Sequence, residues 1–263
     1  MTAPSISRVL EELRSELDDV KIALDFVTTA SSIRPRLGAM LNWAVMDAAT
    51  QQLAQQFMSL RDPYQDSLFR GLYVNTAASY ENFVRKLIRV GAELIGGNVS
   101  TFDELDEALK NQNIYWTGRA FDNVFGRRPH VIKLDLYRLS ADIGTCLPGN
   151  KKFRLNADAF SLDVTSPTAD VLDHVLSRIG VTNYWDDVGR HRGIQRSLSA
   201  TGVREAHRLA KEFLNRFVER RNMIAHVGGG AVTIVETDVR EAIEFFDAFS
   251  GALGDIVSKK CAT

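Results

Sequence analysis

Arg221, Asn222 and His226, near the end of the chain, carry side chains suited to phosphodiester chemistry. Cleavage of RNA without a metal needs a base for the 2′-OH proton, positive charge beside the phosphorane and an acid for the leaving 5′-oxygen. Histidine titrates close to neutral pH and can make either proton transfer. Arginine stays charged and presents a planar fork to phosphate oxygens, and Asn222 can hold a phosphate oxygen or the imidazole. One such set supplies one proton-transfer group, so two sets from two protomers would supply both.

These three residues lie at the end of a predicted helix. Apolar periodicity predicts that the helix begins at Thr201 and that Gly228-Gly229-Gly230 stops it. On an ideal helix Arg221 and His226 differ by about 140° in azimuth. They can therefore flank a groove from two sides, but they cannot share one stripe.

The motif resembles the signature of the HEPN family, in which an arginine is followed by a polar residue and, four residues later, by a histidine. Residues 213–226 are similar to HEPN members found beside bacterial defence and restriction genes. An earlier predicted helix holds Tyr80-Glu81-Asn82-Phe83-Val84, which resembles the aromatic–Glu pair before an apolar run in that family, and Trp185 fits a short segment before the motif helix. The resemblance covers roughly residues 60–260 and leaves a helical pair over 5–58 as an addition to a single all-α domain, 1–263.

The resemblance implies a helical bundle and a metal-independent RNA endonuclease that cleaves single-stranded RNA by 2′-OH attack, as a toxin or anti-phage defence effector. It assigns catalysis to Arg221, Asn222 and His226, with no metal and no other cofactor. HEPN ribonucleases pair as two-fold dimers, which implies a homodimer, with an antitoxin or defence-system protein as a further partner. In HEPN toxins silenced by a nucleotidyltransferase, a modified tyrosine stands two residues after the histidine. Gly228 occupies that position here, which argues against this mode of control.

Further candidates for RNA contact or for support of the site are Arg220, Glu81, Arg190, His191 and Arg192. Glu81 lies on an otherwise apolar helix face, where it either holds Arg221 or His226 or forms a plain structural ion pair. The run 190–192 is either an RNA-contact loop or a solvated charged turn.

Other functions fit the same residues. A non-catalytic HEPN module would dimerise, bind RNA or dock a partner protein, and a regulator or antitoxin is a third alternative. The motif can also be ordinary helix-end chemistry, with a salt-bridged arginine and a histidine on the helix dipole. An intact arginine–polar–histidine set favours catalysis, because a scaffold has no physical need for both the arginine and the histidine.

The charge of the chain is unevenly distributed. The formal net charge is only −1, but residues 190–221 contain nine Lys or Arg against three acids, and such a basic patch attracts phosphate. Two distant cysteines argue against a disulfide framework and a zinc site. Neither a signal segment nor an apolar run of membrane-spanning length is found, so the sequence predicts a cytoplasmic protein.

Helical periodicity dominates and predicts an all-α bundle. Helices are predicted over 5–29 (ended by Arg34-Pro35), 37–58, 62–95, 101–111, 115–125, 130–143, 166–179, 201–226 and 237–258. Gly96-Gly97 and Gly180 are predicted helix stops, and Ser166-Pro167 is a predicted cap. A loop is predicted at 148–150, with a short hairpin formed by 153–155 and 160–162.

Overall fold

The helices of the protein form where apolar side chains recur every three or four residues, so that one face of each helix can be buried. A computed structural model describes residues 5–41, 43–59, 62–125, 134–226 and 232–261. Within these ranges every regular element is helical, which confirms the all-α fold. The α-helices are α1 (Ile6–Met40), α2 (Ala48–Ser59), α3 (Asp62–Asn98), α4 (Glu107–Phe125), α5 (Leu136–Thr145), α6 (Ala157–Phe160), α7 (Ala169–Ser177), α8 (Trp185–Arg190), α9 (Arg192–Ser197), α10 (Val203–His226) and α11 (Glu236–Cys261), with 3-10 turns at Trp43–Val45 and Phe102–Glu104.

An aromatic cluster joins three of the long helices. Tyr73 of α3 meets Phe217 of α10, and Tyr80 of α3 meets Phe246 of α11, with ring centroids 4.4 Å apart in each pair. Phe217 and Phe246 link the two pairs at 4.7 Å. Since such rings bury large apolar areas, this cluster fixes the position of α10 between α3 and α11.

Helix α1 packs against α3 and α11 through one apolar stripe. The buried residues of this stripe are Val9, Leu13, Leu17, Val20 and Leu24. α1 and α11 approach closely at Gly254, where an added Cβ would lie 2.9 Å from Leu10 Cδ1. The N-terminal helix is therefore an integral layer of the bundle.

The predicted end of α1 at Arg34-Pro35 is wrong. The helix continues to Met40, where the Leu41 amide donates to the Leu37 carbonyl at 3.0 Å. A proline removes one backbone donor, and regular hydrogen bonding resumes beyond it here.

The second helix starts at Ala48 and not at residue 37 as predicted. Asp47 explains the start, because its carboxylate accepts hydrogen bonds from the Thr50 amide at 2.9 Å and from the Thr50 hydroxyl at 2.8 Å. A side-chain acceptor at this position satisfies amides that have no partner within the helix.

Gly96-Gly97 does not stop α3, contrary to the prediction. The helix reaches Asn98, whose side-chain amide donates to the Cys261 carbonyl at 2.6 Å and so ties α3 to the end of α11. The start of the predicted 101–111 helix is a 3-10 turn instead, with the Thr101 hydroxyl donating to Glu104 at 3.2 Å. Helix α4 begins after this turn and covers the predicted 115–125 segment.

The predicted hairpin is also wrong, because its residues surround the short helix α6. The buried side-chain amide of Asn156 donates to Thr117 Oγ1 at 2.8 Å and to the Leu139 carbonyl at 3.1 Å.

The loop at 148–150 is confirmed, with Gly149 at φ +72°. Residues 130–133 of the predicted 130–143 helix lie outside the described residues.

Candidate active site

The candidate catalytic residues lie in the last turns of α10, whose start and extent confirm the predicted motif helix to within two residues. Leu214, Phe217 and Val218 form the buried face of this helix, and Arg221 lies beside that face because it follows them by seven, four and three positions. His226 is the last residue of α10 and is exposed. Gly228-Gly229-Gly230, the predicted stop, lies outside the described residues.

Arg221 is held in place by neutral oxygen atoms. Its Nη1 donates to Ser166 Oγ at 3.1 Å and to Asn222 Oδ1 at 3.0 Å, and the Ser166 hydroxyl donates to the same Asn222 oxygen at 3.2 Å. No carboxylate of the described residues forms an ion pair with this guanidinium. Its positive charge is therefore fixed in position without being neutralised.

Ser166, which the sequence predicts only as a helix cap, comes from the loop before α7. Thr168 caps that helix instead, since its hydroxyl accepts from the Val171 amide at 3.4 Å. The Ala169 amide donates to Asn215 Oδ1 of α10 at 2.8 Å, so this loop lies along the motif helix. In the sequence, the Ser166-Pro167 pair indicates the start of a helix, and it does not reveal the contact of Ser166 with Arg221.

Glu81 reaches the site indirectly. One carboxylate oxygen forms an ion pair with Arg85, and the other accepts from the Ser166 amide at 3.0 Å. Arg85 Nε in turn donates to the Val164 carbonyl at 3.0 Å. Glu81 thus forms a structural ion pair and also supports Arg221, through Ser166, while the structure records no bond from it to Arg221 or His226.

Arg220 belongs to a structural ion pair. Its guanidinium donates to both carboxylate oxygens of Asp238, at 2.7 and 3.0 Å, and to the Thr233 carbonyl at 3.0 Å. The Asp238 hydrogen bonds raise the pKa of Arg220. Burial raises the pKa of Asp238, but the bonds from Arg220 and from the Val235 amide outweigh burial, and this pKa lies below its ordinary value. This pair ties α10 to the start of α11.

Arg190, His191 and Arg192 lie at the other end of the motif helix. They join α8 to α9, and Arg190 pairs with Asp187 at 2.6 Å. α8 crosses the first turn of α10, where a Cβ on Gly189 would lie 2.4 Å from the Val203 carbonyl. At 1.5 Å per residue, His226 is about 35 Å from Val203 along the axis. One protomer therefore does not bring this loop to the Arg221 site.

The described part of the chain holds no cluster of three or more His, Cys, Asp or Glu side chains arranged for a metal ion. None of its helices is both long and apolar enough to cross a membrane.

The RiboL-PSP-HEPN family model matches residues 42–259 of the chain. This range contains α3, α10 and every candidate site residue, and it begins after α1. Comparison with curated proteins and with solved structures found no match.

Proposed function

Because the chain belongs to the HEPN family, whose domains are typically ribonucleases, we propose that it is a metal-independent RNA endonuclease acting on single-stranded RNA. The main support is Arg221, a guanidinium that neutral oxygens hold at the helix end, close in sequence to the exposed His226. A fixed and unneutralised guanidinium is suited to bind a phosphate.

In the proposed reaction, one histidine takes the proton from the 2′-OH while the 2′-oxygen bonds to phosphorus. The P–O5′ bond then breaks, and a second histidine gives its proton to the leaving 5′-oxygen. The products are a 2′,3′-cyclic phosphate and a 5′-OH end. Arg221 donates to the non-bridging oxygens, where negative charge is greatest in the phosphorane.

Asn222 supports the same reaction. It precedes His226 by four positions, so both lie on one face of α10. Its Oδ1 already accepts hydrogen bonds from Arg221 and Ser166, which leaves its amide Nδ2 as a donor for a phosphate oxygen. Asn222 therefore fixes Arg221 and can bind the substrate at the same time.

A two-fold homodimer is the proposed active form, since the reaction needs two proton-transfer groups and each motif has one histidine. HEPN domains often dimerise and bind RNA. An isologous interface formed by the C-terminal part of α10 would place His226 and the partner's His226 in one cleft. Single-stranded RNA fits such a cleft, because its 2′-OH groups and phosphates are accessible and can adopt the in-line geometry.

The biological role in this proposal is that of a toxin or anti-phage defence effector in the cytoplasm. Its support is the similarity of residues 213–226 to HEPN members encoded beside bacterial defence genes. Such an enzyme requires restraint by an antitoxin or by a defence-system protein. Expression of the wild-type chain without its neighbouring genes should therefore stop growth, and the His226→Ala variant should not.

A cleavage assay with a metal chelator tests the activity. We expect the wild-type protein to cut single-stranded RNA into fragments with cyclic phosphate ends and to cut duplex RNA far more slowly. His226→Ala should abolish cleavage, and Arg221→Ala should lower the rate about 10²- to 10³-fold. Arg208→Ala is the matched control, because Arg208 is an exposed α10 arginine paired with Glu212 at 2.8 Å.

Cleavage that depends entirely on added Mg²⁺, or full activity of His226→Ala, would contradict the proposal. A dimer that binds RNA but does not cut it would favour the non-catalytic HEPN module.

A further inference from the structure

We infer, on the premise of the proposed function, that Ser166 is a positioning residue that orients Arg221 and Asn222 for catalysis. Its hydroxyl accepts from Arg221 Nη1 at 3.1 Å and donates to Asn222 Oδ1 at 3.2 Å. Arg221 and Asn222 also bond to each other at 3.0 Å, so the three side chains close a ring. A ring of hydrogen bonds restricts an arginine side chain that otherwise has many rotamers.

The backbone of Ser166 supports this role. Its φ is +45°, in the left-handed region that glycine adopts freely and serine rarely adopts. Residues held in such a conformation cluster at functional sites, where the surrounding structure imposes it. Since Thr168 already caps α7, helix capping does not account for a serine at this position.

Charged side chains anchor the loop that carries Ser166. Glu81 accepts from the Ser166 amide at 3.0 Å, and Arg85 donates to the Val164 carbonyl at 3.0 Å. The buried Arg178 donates to the carbonyls of residues 160 and 162, at 2.9 and 2.5 Å. A hydroxyl on a loop fixed in this way can hold a catalytic group in one geometry.

The variants Ser166→Ala and Ser166→Gly separate positioning from folding. Both remove the hydroxyl, but only glycine relieves the left-handed strain. We expect kcat to fall about 10- to 100-fold in both, as for loss of a hydrogen bond to a charged group, while KM changes less than about threefold. Ser166→Gly should be at least as stable as the wild type. Ser161→Ala is the control, because the Ser161 hydroxyl donates to the Asp158 carbonyl at 2.8 Å in the same loop.

A merely structural serine predicts a different result, in which activity follows stability and the glycine variant keeps wild-type kcat. That outcome would overturn the inference.

Nuclear magnetic resonance of the Arg221 guanidinium provides a readout without RNA. Rotation of this group should be slow in the wild type and in Ser161→Ala, and faster in both Ser166 variants; equal rotation in all four proteins would overturn the inference. If the wild-type protein cleaves no RNA, the proposed function fails, and the rotation measurement alone then decides whether Ser166 positions Arg221.

Discussion

Two adjacent arginines on α10 are held in opposite ways. Arg220 meets both carboxylate oxygens of Asp238, so its charge is neutralised within the fold. Arg221 lies about 100° further around the helix, and among the described residues its side chain donates hydrogen bonds only to the Ser166 hydroxyl and the Asn222 amide oxygen. Both arginines are fixed, but only Arg221 keeps a charge that an anion can use.

This difference shows that the neighbouring element decides the role of each arginine. The start of α11 supplies a carboxylate to Arg220, whereas the loop before α7 supplies a hydroxyl to Arg221. An arginine in a partly buried ion pair contributes mainly to the fold, while one held by neutral acceptors keeps the charge that the proposed phosphate contact requires.

Among changes that separate the two arginines, Arg221→Ala should have the largest effect, a loss of catalysis. The value of kcat/KM should fall about 10²- to 10³-fold, because the phosphorane loses its positive partner. The melting temperature should change little, since no carboxylate of the described residues loses an ion-pair partner. Steady-state cleavage and thermal unfolding of the same preparation check both statements. Strong destabilisation by this substitution would remove the contrast with Arg220.

Arg220→Ala should show the opposite pattern. Removing this guanidinium leaves the partly buried Asp238 without its ion-pair partner, so the free energy of unfolding should fall by about 2–4 kcal/mol. Urea unfolding measures this loss. In the double variant Arg220→Ala/Asp238→Asn, the loss of unfolding free energy should be smaller than the sum of the two single losses, because each substitution removes the same interaction. Additive losses would show that the pair has no coupling.

Glu81→Ala should have an intermediate effect on catalysis, because Glu81 supports Arg221 through Ser166. The Ser166 amide and Arg85 both lose their acceptor, so kcat should fall about tenfold, as for loss of one positioning hydrogen bond. Single-turnover cleavage checks the chemical step. A change confined to KM would show that Glu81 serves substrate binding and not the geometry of Arg221.

The smallest expected effect is a pH dependence of stability from Asp238. The pKa of Asp238 lies below the ordinary value of 3.8. The ionised carboxylate therefore adds to the free energy of unfolding above that pH, and this stabilisation is lost as the pH falls through the folded-state pKa. The free energy of unfolding of the wild type should exceed that of Asp238→Asn by about 1–2 kcal/mol at neutral pH. The difference should shrink in acid, and a constant difference down to about pH 2 would contradict this assignment.

Local patterns predicted the parts of the molecule that depend on local sequence. Apolar periodicity located α10 and α11, because one buried face repeats along each helix. Sequence signals for helix ends failed at two places. Helical hydrogen bonding resumes after Pro35, and α3 passes Gly96-Gly97 and ends at Asn98, which contacts α11. Tertiary contacts override such weak preferences.

The site itself was predictable only in part. The motif residues follow from the sequence, but the contact between Ser166 and Arg221 joins positions 55 apart. The separate roles of Arg220 and Arg221 likewise depend on Asp238 and Ser166, which come from different elements. No local pattern encodes these pairings.

The most direct test observes both arginines at once during binding of a 2′-O-methyl oligonucleotide, which cannot be cleaved by 2′-OH attack. The guanidinium resonances of Arg220 and Arg221 are assigned by substitution and followed during the titration. The Arg221 resonance should shift and saturate, and the Arg220 resonance should stay in place. A phosphate site at Arg221 would be contradicted if the Arg220 resonance shifted while the Arg221 resonance did not, or if the oligonucleotide bound without shifting either resonance.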